Sequence, residues 1–137
     1  METKQNDATY NRPEGDRVLD GPLVRISIPD TIRQIKSEPA WLNGDRNAIT
    51  LLHNDQLRLV LIALHQHATI TGHAVDGASY IQVLQGRIWL ETEIQSTSLD
   101  EGEGMAIAPG ILHSVFAEQE TVLTLTLAGL HANDQTT

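Results

Sequence analysis

The segment TVLTLTLA, residues 121–128, alternates apolar and polar side chains almost without interruption. Successive side chains of a β-strand point to opposite faces, so a period of two marks a strand with one buried and one wetter side. The same period runs through most of the chain. AITLLH, QLRLVLIALHQH, SYIQVLQ, RIWLETEI, TSL, GMAIA and HSVFAE read as strands, separated by the turn-like HND, TGHAVDGA, QGR, QSTS, DEGE, PGIL and EQE. Many short strands at near-even spacing predict an all-β sandwich or barrel. LRLVLIAL is apolar on both faces, which predicts cover on both sides, by a helix or by a second subunit. The second alternative makes a homodimer the expected assembly.

Before Ala48 the period is lost. LVRISI at 23–28 has the β-branched character of a short strand. In DTIRQIKSEPAW, residues 30–41, Asp30 suits an N-cap, Ile32 and Ile35 share a helical face, and Pro39 ends the pattern. This is the one helix predicted, and Trp41 is expected to pack it against the sheet. Residues 1–20 are too polar to offset the entropy of ordering and predict a flexible arm. The expected organisation is then an arm over 1–20, a strand and short helix over 21–47, a barrel over 48–130 and a flexible tail over 131–137.

Composition removes several function classes. The 137 residues suit one domain with a real core. The absence of Cys excludes disulfides, thiolate metal sites and a Cys nucleophile. Net charge is −9 and the nine Lys and Arg are scattered, so no basic face for nucleic acid is expected. Phe116 and Trp89 are too isolated to form a base-stacking platform. The polar N-terminus contains no apolar signal region, and LVLIAL at 59–64 is far too short to cross a bilayer. A cytoplasmic protein without membrane or nucleic-acid partners is expected. Glu91 and Glu93 share strand parity with Trp89 and should face outward, while Asp100, Glu101 and Glu103 crowd a turn. Paired inward carboxylates for glycoside hydrolysis are therefore not expected.

The residues of chemical interest lie at turns. Gly86, in LQGRIW, suits a hairpin that needs positive φ, and Gly102 and Gly104 flank the entry to GMAIA. Pro109 fixes φ and Gly110 permits a sharp reversal. After that reversal His113, Val115 and Ala117 fall on one face of the next strand. Two of the three are apolar, so His113 is expected to point inward near the strand mouth.

GHAVDGASYIQVLQGRIWL and DEGEGMAIAPGILHSV together resemble the two sequence motifs of a small cupin. His73 falls on the first histidine of the first motif and Gly86 on its closing glycine. Gly102, Gly110 and His113 match the second motif, with the proline displaced by one to Pro109. The resemblance covers about residues 48–129 and extends to a bacterial subgroup without an assigned activity. It implies a cupin-type double-stranded β-helix, a jelly-roll barrel, with one short N-terminal helix. It also implies a possible divalent transition metal (Fe, Mn, Ni or Zn) held by three His and one Glu. This chain departs from that set: Val75 stands at the second histidine position and Ser79 at the glutamate position. His73 and His113 remain as metal ligands, and His73, Ser79 and His113 as contacts for a small molecule.

His65 and His67 in ALHQHAT sit two apart and would share a strand face, so either is a candidate third ligand. Register opposes this, because the spacing from His73 to Gly86 already fits the motif. Asp76 reads as a turn residue, His53 as a loop residue and His131 as part of the tail. Three functions are open: a barrel binding a small molecule or metal without turnover and a metal-dependent dioxygenase or isomerase, both from the resemblance, and a dimeric interaction module, from the doubly apolar LRLVLIAL. All rest on His73 and His113 converging inside one closed β architecture.

Overall fold

A computed structural model describes residues 18–73 and 76–129. Among these residues nine strands form two antiparallel sheets. They are β1 (Arg46–His53), β2 (Leu57–Leu64), β3 (Thr69–His73), β4 (Ser79–Gln85), β5 (Arg87–Thr92), β6 (Ser96–Asp100), β7 (Gly104–Ile107), β8 (His113–Ala117) and β9 (Thr121–Ala128). The larger sheet has the order β1-β2-β9-β4-β7 and the smaller β3-β8-β5-β6. The two-residue period supplies the core between them. Val60 and Ile62 of β2, Ile81 and Val83 of β4 and Leu123 of β9 meet Ile88 and Leu90 of β5, Leu99 of β6 and Val115 and Ala117 of β8. The last strand is central: β9 pairs along its whole length with β2, from Leu57↔Ala128 to Leu64↔Thr121, and with β4 on its other side.

Two short helices cover the outer face of the larger sheet. In α1 (Ile28–Ser37) and α2 (Pro39–Asn43), Ile35 and Trp41 bury against Ile49 and Leu51 of β1, Leu61 and Ala63 of β2 and Val122 of β9. This resolves the two-sided apolarity of LRLVLIAL. Val60, Ile62 and Leu64 face the space between the sheets, while Leu61 and Ala63 lie beneath the helices. The chain covers both faces itself, so this strand gives no reason to call on a second subunit. At the helix junction the carboxylate of Glu38, 2% exposed, accepts from Gln34 Nε2 at 3.0 Å and Asn47 Nδ2 at 2.9 Å. Asn47 Nδ2 also donates to the Ile35 carbonyl at 2.9 Å, which ties the end of α1 to the start of β1.

Several sequence expectations are corrected here. Residues 23–27 form no strand, and Ile28 already opens α1. The N-cap is Ser27, whose hydroxyl accepts from Asp30 N at 3.4 Å, and Pro29 in the first turn has no N–H to give a β ladder. There are two helices, not one. Pro39 starts α2 because the first helical position needs no N–H donor, with Glu38 extended between the two. The strand expected to run through His67 stops at Leu64, and His67 takes φ +77° in the following turn. At the end of the expected arm, Leu19 and Asp20 are buried, and the Leu19 carbonyl accepts from His53 N at 2.9 Å. Residues 1–17, Val75 and His131 lie outside the described residues. Among the described residues no helix is long and apolar enough to cross a membrane.

Candidate functional site

The reversal at Pro109-Gly110 builds the site. β7 ends at Ile107, Gly110 takes φ +80°, and β8 starts at His113. Strand parity then acts on β8: His113, Val115 and Ala117 are 7%, 4% and 0% exposed, while Phe116 between them faces out. His113 therefore belongs to the inner face. Its Nδ1 lies 3.1 Å from the Ile111 carbonyl oxygen. A carbonyl can only accept, so Nδ1 carries the hydrogen. The neutral ring then holds its lone pair on Nε2, free to accept a proton donor or a cation.

His113 is the middle member of a three-strand row. On one side its register partner is His73 at the end of β3, and on the other Thr92 at the end of β5. Opposed residues on neighbouring antiparallel strands have Cα atoms about 4.5–5.5 Å apart. The two histidine positions separated along the sequence are thus neighbours in one sheet. A β-bulge between Ile70 and His73 interrupts that pairing, where Gly72 N donates to Ser114 Oγ at 2.8 Å.

Ser79 opens β4 on the face that carries Ile81 and Val83 into the core. It is 4% exposed, and its hydroxyl has no hydrogen-bond partner among the described residues. A buried hydroxyl in that state costs about 1–3 kcal/mol, which a bound polar group would recover. Its register partner on β7 is Ile107. Ile107 and Ile111 both line a cavity of about 240 Å³, together with Leu90, Thr92, Gln95 and Met105. The cavity wall thus joins the residue opposite Ser79, the carbonyl that holds His113 and the residue opposite His113. The cavity is smaller than the ~300–1,000 Å³ usual for drug-sized ligands, so it has room only for a compact molecule. Sequence reasoning missed Thr92 and Met105, which strand pairing brings to the site, and Ile111, which lies in the loop just before His113.

His65 and His67 part company. The His65 ring stacks on Trp41, with centroids 3.5 Å apart and planes 14° apart, and its Nε2 lies 2.9 Å from the Trp41 carbonyl. His67 stacks instead on Phe116, with centroids 6.0 Å apart, on the outward side of β8. They do not present one face to a shared ion. Asp45, whose carbonyl accepts from His65 N, is an exposed residue; a hydrogen bond from Arg46 holds its carboxyl below the usual aspartate range.

A metal of the kind the motifs imply needs about three or more converging protein ligands. Among the described residues, no three His, Cys, Asp or Glu side chains gather where they could hold one. The glutamate position carries the neutral Ser79 hydroxyl, buried and unpaired. Among the described residues, that donor set does not fit a resident transition metal.

No protein-family model matches the chain, and no curated protein matches it in sequence. Solved structures match its fold. An RmlC-like cupin from Shewanella frigidimarina superposes with a TM-score of 0.61 at 18% identity, over 67% of this chain and 83% of that one. The chain has the cupin fold. A cupin superfamily protein from Desulfitobacterium hafniense is similar, with a TM-score of 0.59 at 12% identity over 61% of this chain and 76% of that one. A salicylate 1,2-dioxygenase from Pseudaminobacter salicylatoxidans reaches a TM-score of 0.66 at 16% identity, over 82% of this chain and 36% of the dioxygenase chain. These likenesses establish the jelly-roll architecture that the motifs implied.

Proposed function

We propose that this cupin binds a compact, largely uncharged molecule between its sheets beside His113. One observation carries the reading. An inward imidazole is held at Nδ1 by the carbonyl of Ile111, a residue that also lines a cavity of about 240 Å³. His113 Nε2 would accept from a hydroxyl or amide of the ligand, and the Ser79 hydroxyl would supply or accept a second hydrogen bond. The lining includes Leu90, Ile94, Met105, Ile107 and Ile111 with Thr92, Gln95 and Thr97, and neither Lys nor Arg, which suits a neutral ligand better than an anion. Binding without turnover fits the donor set, since a cavity of this composition offers no nucleophile and no acid to pair with His113.

A second reading is favoured by the register pairing of His73 with His113: a metal-dependent dioxygenase or isomerase in which both histidines are ligands. Metal analysis of untagged protein separates the two. The binding reading expects metal well below one ion per chain. It also expects a thermal-shift screen of small neutral molecules to return ligands whose stabilisation is lost in His113→Ala. Near-stoichiometric Fe, Mn, Ni or Zn, released by His73→Ala and by His113→Ala, would overturn it in favour of the enzyme.

A further inference from the structure

The helices pack on β1 and β2, and the outer face of the smaller sheet carries a row of rings. Phe116 on β8 is in register with Trp89 on β5, and His67 stacks on the far side of Phe116. Trp89 and Phe116 are 39% and 36% exposed. Carboxylates flank the row. Arg87 lies 3.4 Å from Asp100 and 3.7 Å from Glu118, so its charge is already shared between two acids. On the other side, Glu91 Oε1 accepts from the Trp89 indole N–H at 3.4 Å, and no cation pairs with Glu91 among the described residues. The face thus carries three carboxylates against one guanidinium, on a chain of net charge −9.

We infer that this face docks a basic segment of a partner protein, with an arginine or lysine side chain seated over Trp89 and paired with Glu91. The indole face attracts a cation, and donation of the indole N–H to a carboxylate strengthens that attraction by raising electron density in the ring. Glu91 supplies the counter-charge at the ring edge. A second copy of this chain is the poorer occupant. Four strands about 4.8 Å apart and about five residues long present about 330 Å², against about 800 Å² per partner in a stable complex. A two-fold pairing of this face would also bring a net negative surface against its own copy.

Calorimetry on the full chain with a hexa-arginine peptide at low ionic strength tests this. The expected result is saturable binding, weakened about two- to fivefold by Trp89→Ala, which leaves net charge unchanged, and similarly by Glu91→Gln. Circular dichroism checks that both variants fold, and in Trp89→Ala the emission of the buried Trp41 checks it again. Equal affinity of Trp89→Ala and the parent protein would reduce the binding to diffuse charge attraction and overturn the assignment. So would Trp89-dependent binding of a neutral cello-oligosaccharide without binding of the peptide, which would make the face a sugar platform. Conversion of a dimer to a monomer by Trp89→Ala in light scattering would likewise overturn it.

Discussion

A methyl group added at Gly86 would run into the backbone oxygen of Glu120 and the side chain of Thr121, and Gly86 also holds φ +86°. Gly110 holds nearly the same dihedral, +80°, but a Cβ there would meet nothing within 4 Å. The two glycines therefore separate backbone strain from steric crowding. Gly110→Ala is expected to cost only the left-handed conformation, about 1–2 kcal/mol. Gly86→Ala adds overpacking against a fixed backbone and is expected to cost about 3–5 kcal/mol in urea unfolding. Equal losses at the two sites would show that the β4–β5 turn relaxes freely. Both glycines were legible in the sequence as turn residues, and so was the inward aim of His113, because Pro109-Gly110 and strand parity are local properties. The separate fates of His65 and His67 were not. They depend on where Trp41 and Phe116 arrive from distant segments, and on the left-handed backbone of His67.

At the scale of elements, the helices are held by a polar latch as well as by Ile35 and Trp41. Asn47 Nδ2 serves two acceptors at once, the Ile35 carbonyl and the buried Glu38 carboxylate. Asn47→Ala would leave both short of a donor and is expected to destabilise the fold by about 2–3 kcal/mol, read from the denaturation midpoint. An Asn47→Asp variant should do worse still, since it places a second carboxylate beside the first. A loss under 0.5 kcal/mol, which is about the scale of a surface substitution, would remove the latch from the account. Strand periodicity revealed eight of the nine strands found among the described residues, because half-buried strands impose their pattern on every second residue; it missed β3, whose end at Gly72 and His73 it read as part of the turn TGHAVDGA. It misjudged LVRISI for a related reason. An apolar stretch of that length suits a strand or a helix entrance equally, and the Ser27 cap with Pro29 behind it favoured the helix. Pro39 was legible as a break, but a break between two helices and the end of one look alike before the downstream turn is known.

For the whole molecule, the deciding feature is that the larger sheet is completed by the last strand. β9 lies between β2 and β4, and its Leu123 is in register with Ile62 on one side and Val83 on the other. Such non-local pairing predicts slow two-state folding, on the millisecond-to-second scale in stopped-flow refolding. A chain ending at residue 120 is expected to show no cooperative unfolding transition; a sigmoidal melt from that fragment would refute the central role of β9. The overall fold class was readable because it depends on the sum of many short strands. The order of those strands, and with it the meeting of Thr92, His113 and His73, was readable only through resemblance to cupins.

That placement has a further consequence during synthesis. Leu64 leaves the ribosome nearly sixty residues ahead of Thr121, its register partner. At ~5–20 residues per second, β2 then waits about 3–12 s with one ladder edge unfilled. For that interval the nascent chain displays an apolar, hydrogen-bond-hungry edge, a natural substrate for chaperones and a hazard wherever translation stalls before β9 is made.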